Sequence, residues 1–206
     1  MCIRDRIKGE DCLAGQGPYT KEINVNDIES TAYSCGERKI LMPQIKPYRR
    51  SKAVAYARKW AFDRNPAFYD FSDLGGDCTN FASQCLYAGS EVMNFEPENG
   101  WYYISPSDRS PSWTGVEFLY QFLVNNTTRA VFAKEVPMEE IEPGDVIQLL
   151  NFDGRYYHTL VVVETGKIPD EDNILVSAHS FNAYKRPLSS YTKAGARFLH
   201  IEGVYV

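Results

Sequence analysis

A cysteine and a downstream histidine in this chain stand in contexts that suit nucleophilic catalysis. The cysteine is Cys78, in the run Gly75-Gly76-Asp77-Cys78-Thr79-Asn80-Phe81, and the histidine is His158, which leads the run His158-Thr159-Leu160-Val161-Val162-Val163. A thiol attacks as its thiolate, and both a helix N-terminus and a nearby imidazolium lower the pKa of a cysteine from about 8.5. We therefore predict that Cys78 opens a helix, that His158 opens a strand, and that the two meet in a cysteine hydrolase site.

Helical periodicity dominates the first half of the chain. Small and apolar residues share one face of the segment 78–89, which places Cys78 in the first turn of a helix. An earlier helix is predicted to begin at Ser51, whose hydroxyl suits an N-cap. A later one is predicted to follow a capping box formed by Thr114 and Glu117.

The second half of the chain changes to strand patterns. A turn at Pro143-Gly144-Asp145 precedes the first strand, and β-branched runs separated by turn residues follow. The predicted strands cover residues 146–150, 158–163, 174–179 and 198–206. Helices first and antiparallel strands later predict an α+β fold, with the helices packed on one side of a curled antiparallel sheet.

The predicted hairpin makes a geometric claim about two histidines. If Glu164 pairs with Asn173, then His158 lies directly opposite His179 on the neighbouring strand. Cβ atoms of such pairs are about 4.5 to 5.5 Å apart, so His179 would orient the imidazole of His158. Nucleophile, base and orienting residue would then be present, whereas a shift of one residue in register would separate the two histidines.

Six runs occur in an order typical of one family. They are GGDCTNFASQCLYAG, GWYY, PSWTGV, PGDVIQL, YYHTLVVV and RPLSSY, and they make the segment 46–206 resemble the bacterial putative amidase domain family. That family is similar in layout to NlpC-type and CHAP cysteine peptidases, which have a papain-like fold. The resemblance implies that Cys78 is the nucleophile, His158 the base and His179 the third member, with Asn182 as a rival for the third role.

The chemistry implied is cleavage of an amide through a thioester. Cys78 would attack the carbonyl carbon, and His158 would pass the thiol proton to the leaving amine. The N–H of Cys78, at the positive end of its helix, would help to bind the oxyanion, and Gly76 would allow close approach of the substrate. Asp77 is interpreted either as a carboxylate that favours the helix dipole or as a contact for a substrate amine.

Three other functional classes use the same residues. Zinc could be bound by Cys78, His158 and His179, although no close pair such as Cys-x-x-Cys supports such a site, and no metal or other cofactor is predicted. A non-catalytic peptide- or wall-binding module with the same fold is an alternative, which the intact cysteine and histidine disfavour. Acyl transfer to an amine instead of water would use the same nucleophile.

Length and composition indicate one domain and limit the possible partners. The chain has 206 residues, of which 44% are hydrophobic, and a net charge of −5 with scattered Lys and Arg, so nucleic acid is not expected as a partner. No apolar run is long enough for a membrane span, and no signal peptide is evident, which favours a cytoplasmic location. The expected partner is an amide or peptide substrate, with a peptidoglycan stem peptide as one candidate, and the expected state is a monomer.

The N-terminal segment differs from the rest of the chain. Residues 1–45 lack a convincing period and are interpreted as a leader, while residues 46–206 are interpreted as one papain-like amidase domain. The first six residues, 1–6, resemble a translated sequencing-adapter fragment. Two cysteines lie beyond this leader, and Cys85, seven residues after Cys78 along the predicted helix, is expected to be a buried core residue out of disulfide reach.

Overall fold

The computed structural model describes residues 43–206, so most of the predicted leader lies outside the described residues. Within this range the fold is α+β, with four helices and seven strands. The helices are α1 (Arg50–Trp60), α2 (Cys78–Ser90), α3 (Pro111–Thr114) and α4 (Val116–Asn125). The strands are β1 (Ile45–Lys46), β2 (Ala130–Val136), β3 (Val146–Leu150), β4 (Tyr156–Glu164), β5 (Leu175–Ala178), β6 (Ala183–Pro187) and β7 (Gly195–Tyr205).

The strands form one antiparallel sheet. Its order is β1-β7-β3-β4-β5-β6, and β2 also pairs with β7. The long strand β7, the last in the chain, pairs with the first strand, β1, and also with β2. Ile45 of β1 and Ala130 of β2 both pair with Tyr205. The α+β prediction is confirmed, and Ile45, assigned to the leader, is part of the sheet.

The helices pack on one face of the sheet. Val161 and Val163 of β4 point toward Phe81 and Ala82 of α2, while α4 covers β2 and the neighbouring part of β7. The opposite face carries a second apolar cluster that includes Leu160 of β4. Its buried members are Val136, Ile141, Ile147, Leu149, Leu160, Val162, Ile174, Val176, Ala178 and Leu188. Alternate residues of β4 therefore face different cores, as the period of a strand requires.

Two predicted helix starts are wrong. Helix α1 begins at Arg50 without a side-chain cap, so Ser51 is already a helical residue. Thr114 is the last residue of the single turn α3, and Gly115 separates α3 from α4, so Thr114 is not free to cap the next helix. Glu117, the other half of the predicted capping box, instead accepts a hydrogen bond from Arg197 of β7 at 2.8 Å.

The register between β4 and β5 differs by one residue from the prediction. Val161 pairs with Ser177 and Val162 with Val176, and an irregularity after Val162 precedes the last pair of the two strands. This alignment puts His158 and His179 on opposite faces of the sheet, so they are not cross-strand neighbours. The sequence is also compatible with the predicted alignment, because every position from 159 to 163 is buried. A strand buried on both faces has no polar alternation to fix its register.

The Pro-Gly-Asp turn before β3 is anchored by its aspartate. The fully buried Asp145 accepts hydrogen bonds from Arg50 Nη1 at 2.5 Å, from His200 Nδ1 at 2.9 Å and from the backbone N–H groups of Glu142 and Ile201. These contacts tie α1 and β7 to the start of β3. A buried carboxylate needs such a set of donors to offset its lost hydration.

Within residues 43–206, no helix has the combination of length and apolar character that crossing a membrane requires.

Candidate active site

Cys78 occupies the position that the sequence predicted for it. It is the first residue of α2, and Asp77 separates it from Gly75 and Gly76, both of which have positive φ angles (101° and 112°) that favour glycine. The first backbone N–H groups of a helix have no intrahelical acceptor, so the start of α2 offers donors to an anion. The thiol is therefore located at a backbone site suited to an oxyanion.

The thiol itself is nearly buried, with 8% of Cys78 exposed. Its sulfur lies 3.8 Å from Thr79 Oγ1, and the nearby backbone N–H groups of Thr79 and Thr159 favour its thiolate form. Burial nevertheless raises the pKa of Cys78, and the neighbouring Asp77 charge acts in the same direction. The resting cysteine is thus a protonated thiol, contrary to the prediction of a lowered pKa.

A pair of hydroxyl groups joins α2 to β4 beside the thiol. Thr79 Oγ1 lies 2.9 Å from Thr159 Oγ1, and both residues are fully buried. Thr159 also lies 3.4 Å from the side-chain amide of Gln148 on β3. This pair fixes the distance between the cysteine helix and the histidine strand.

His158 lies on the other face of β4. It is the third residue of the strand and not the first, and it shares its face with Leu160 and Val162. Burial, together with the charge of Arg186, lowers the pKa of His158 to about 4, so the imidazole is neutral at neutral pH. Among residues 43–206 it has no hydrogen-bond partner, and its nearest aromatic neighbours are Tyr157 and Tyr191, with ring centroids at 5.9 and 6.0 Å.

His179 lies on the same face of the sheet as α2. Its ring stacks on Phe81 with centroids 3.9 Å apart, its Nδ1 lies 2.6 Å from Asp77 Oδ2, and its Nε2 lies 2.8 Å from the carbonyl oxygen of Trp60. Both ring nitrogens therefore face acceptors. His179 joins the end of α1 to the start of α2 and does not contact His158, so its predicted orienting role is not seen.

The carboxylate of Asp77 is a buried junction. Its Oδ1 accepts hydrogen bonds from the N–H of Phe71 at 2.9 Å and from Asn80 Nδ2 at 2.8 Å, and its Oδ2 binds His179. Asp77 is fully buried and its side chain does not cap α2. These contacts support a structural role for Asp77 and leave no exposed oxygen for a substrate amine.

The loop after β5 closes over the glycines that precede Cys78. Ser180 Oγ accepts a hydrogen bond from the N–H of Asp77 at 3.2 Å, and a Cβ at Gly76 would lie 3.2 Å from the same oxygen. Asn182, the rival third residue, is exposed and binds Arg64 Nη2 at 3.1 Å. Gly76 is therefore half-buried beside Ser180, and Asn182 makes no hydrogen bond to either Cys78 or His158 among the described residues.

Arg64 is a member of this site that the sequence analysis missed. It lies in the loop after α1, and its guanidinium lies 3.2 Å from Asp70, 3.6 Å from Asp77 and 3.4 Å from His179 Nε2. A single arginine in an irregular loop has no periodic or motif signal. Only the folded chain shows that it links four segments around Asp77.

The described residues contain no group of three His, Cys, Asp or Glu side chains placed to hold one metal ion. A cavity of about 450 Å³ lies between the loop 94–100 and α4. Neither Cys78 nor the two predicted catalytic histidines line it.

Comparison with known proteins shows the family. The putative amidase domain matches residues 47–201. The uncharacterized protein YhbB of Bacillus subtilis (strain 168) is 40% identical to this chain over 145 residues, which cover 68% of this chain and 43% of YhbB. The chain thus spans less than half the length of that relative, and no solved structure matches it significantly. Since the match covers all four helices completely and places the Cys78 motif within the domain, the chain belongs to the putative amidase domain family.

Proposed function

We propose that this protein is a cysteine-dependent amidase with a papain-like arrangement, in which Cys78 is the nucleophile and His158 the base. The observation that supports it best is the 2.9 Å contact between Thr79 Oγ1 and Thr159 Oγ1. These two residues directly follow Cys78 and His158 in the chain, so the backbone of His158 lies beside the start of α2. The backbone of His158 is therefore close to the Cys78 thiol, although the imidazole ring lies on the other face of the sheet.

The protonation states suit general-base catalysis from a neutral pair. A neutral imidazole has one unprotonated nitrogen, and Nδ1 is the one closer to the backbone. During attack, the imidazole of His158 turns so that Nδ1 points toward α2, and the thiol proton moves to Nδ1 while the S–C bond forms. The C–N bond then breaks as His158 returns the proton to the leaving amine.

The second half of the reaction restores the enzyme. Water attacks the thioester, His158 accepts one of its protons, and the carboxylic acid leaves as the thiol is regenerated. The N–H of Cys78, at the start of α2, is the proposed first donor to both oxyanions. The resemblance points to an amide in a peptide as substrate, with a peptidoglycan stem peptide as the candidate.

His179 is assigned a positioning role in this proposal. Both of its nitrogens are engaged, with Asp77 and with the Trp60 carbonyl oxygen, so it has no free nitrogen for a thiol proton. Its contacts hold the end of α1 against the start of α2. Loss of His179 should therefore reduce stability more than it reduces the reactivity of the folded enzyme.

Acylation by p-nitrophenyl acetate tests the nucleophile without knowledge of the natural substrate. We expect a burst of about one nitrophenol per chain and an acetyl group on Cys78 by peptide mass mapping. The burst should disappear in Cys78→Ala and slow at least tenfold in His158→Ala, while Cys85→Ala, which removes a fully buried thiol, serves as the matched control. An adduct elsewhere, or an unchanged rate in His158→Ala, would contradict the proposal.

Added hydroxylamine separates hydrolysis from acyl transfer. If water is the normal acceptor of the acetyl group, acetate accumulates at the steady-state rate without any hydroxylamine. If the acetyl-enzyme persists until an amine is added, the same nucleophile serves an acyltransferase.

A further inference from the structure

We infer that Tyr191 is a positioning residue for His158, through a hydrogen bond from His158 Nε2–H to the phenolic oxygen of Tyr191. Tyr191 lies in the run RPLSSY, on the same face of the sheet as His158. The inference rests on the proposed role of His158 as base and adds the residue that would orient it, a role that His179 does not fill.

The first observation is that two polar groups without partners lie side by side. The hydroxyl oxygen of Tyr191 is buried and has no hydrogen-bond partner among residues 43–206. The neighbouring His158 ring, 7% exposed, makes no hydrogen bond to the described residues either. A buried hydroxyl without a partner loses its hydration without compensation, so such groups are rare in folded proteins. Pairing the two groups with each other satisfies both.

The second observation is the distance between the rings. The centroids of His158 and Tyr191 are 6.0 Å apart with an angle of 43° between the ring planes. A hydrogen bond of about 2.8 Å between Nε2 and the phenolic oxygen places the two centroids about 6 to 7 Å apart. The observed centroid separation therefore lies at the lower end of the range that such a bond requires.

The third observation concerns the competing partners. Arg186 lies over the face of the Tyr191 ring, with its guanidinium carbon 4.0 Å from the centroid, and it also binds Ser190 through Nε at 2.8 Å. Arginine has only donors, so a hydrogen bond from Arg186 to the phenolic oxygen would use one of its two lone pairs and leave the other for His158. The other nearby hydroxyl, that of Tyr157, is already bound to the carbonyl oxygen of Thr192 at 3.2 Å.

The chemical consequence is the choice of tautomer. If Nε2–H donates to Tyr191, the unprotonated nitrogen of the neutral imidazole is Nδ1, which is the nitrogen closer to the backbone. Catalytic histidines are commonly fixed in one tautomer by a partner on the second nitrogen. Tyr191 would supply that function from the turn that follows β6.

Nitrogen-15 NMR of the histidine side chains tests the bond directly in the full chain, which has only three histidines. In the unmodified protein we expect His158 in the Nε2–H form at pH 7. Tyr191→Phe keeps the ring and removes the hydroxyl, so the His158 nitrogen shifts should move toward a mixture of tautomers. Tyr157→Phe, which removes a hydroxyl bound elsewhere, is the matched control and should leave them unchanged.

The acylation burst supplies the catalytic readout. Tyr191→Phe should slow acetylation of Cys78 about tenfold and move the acid limb of its pH profile. Groups that face His158 and enter this profile are Tyr157 on β4, Arg186 on β6 and Tyr191 itself. Unchanged His158 shifts in Tyr191→Phe overturn the inference even if the burst is normal. If the His158 nitrogen shifts change in Tyr191→Phe but neither the unmodified protein nor any variant shows an acylation burst, the hydrogen bond is confirmed and the proposed function is overturned.

Discussion

His179 Nδ1 lies 2.6 Å from Asp77 Oδ2, so a residue after β5 holds the carboxylate that immediately precedes Cys78. Because Asp77 also binds the N–H of Phe71 and the side chain of Asn80, one buried carboxylate fixes the loop before α2 and the first turn of that helix. The start of α2 is therefore set by contacts from three parts of the chain.

Replacing Asp77 by Asn should destabilise the protein severely. An amide carries only one oxygen, so one of the donors now bound to Asp77 would face an NH₂ group, and the charge that pairs with His179 would be lost. We expect the free energy of unfolding in urea to fall by about 3 kcal/mol. Asp70→Asn, which breaks the partly exposed ion pair with Arg64, should cost under about 1 kcal/mol and is the matched control. Equal effects of the two substitutions would show that the buried junction does not carry this stability.

The burial of His158 should make stability depend on pH. The pKa of His158 is lowered from 6.5 to about 4, so below pH 6.5 the unfolded chain binds a proton that the folded chain excludes. The contribution is fully present above pH 6.5 and is lost as the pH falls toward 4, with a total of about 3 kcal/mol. Urea unfolding of the unmodified protein and of His158→Asn from pH 7.5 to 4.5 isolates this part of the slope. Parallel curves for the two proteins would contradict the prediction.

The hydroxyl pair between Thr79 and Thr159 should show a measurable coupling. Thr79→Val leaves the buried hydroxyl of Thr159 with only its long contact to Gln148, so we expect a loss of about 1 to 2 kcal/mol. Thr159→Val should cost a similar amount, and the double variant should cost less than the sum of the two, as measured by urea unfolding. Thr79→Ser keeps the hydroxyl and controls for loss of the bond. Additive effects would show that the two hydroxyls do not interact.

Gly76 should tolerate a methyl group less well than Gly75. Both glycines have φ near +100°, so alanine is strained at either position by about 1 kcal/mol or more. Only at Gly76 would the added Cβ meet the Ser180 oxygen at 3.2 Å, while nothing lies within 4 Å of a Cβ at Gly75. Gly76→Ala should therefore unfold at lower urea concentration than Gly75→Ala and should react more slowly in the acylation burst. Identical urea midpoints for the two variants would mean that the loop carrying Ser180 moves to accommodate the methyl group without loss of stability.

Several elements could be predicted because their signals are local. The start of α2 at Cys78 follows from two glycines and the spacing of apolar residues after them, and the burial of Cys85 follows from the same helical face. Strands β2 and β6 were missed. β2 directly follows α4 with a short mixed run, and β6 contains two basic residues and ends in proline, so neither has the alternation that indicates a strand.

The sequence by itself determined that the chain has a cysteine at a helix start, a histidine on a later strand and an α+β order of elements, because each depends on residues close together in the chain. Only the tertiary structure decided that His179 binds Asp77, that Arg64 joins the same site and that His158 faces Tyr191. The reason is physical: strand register depends on which faces are buried, and an uninterrupted apolar run such as 159–163 is compatible with two alignments. A shift of one residue exchanges the neighbours of every side chain on the strand.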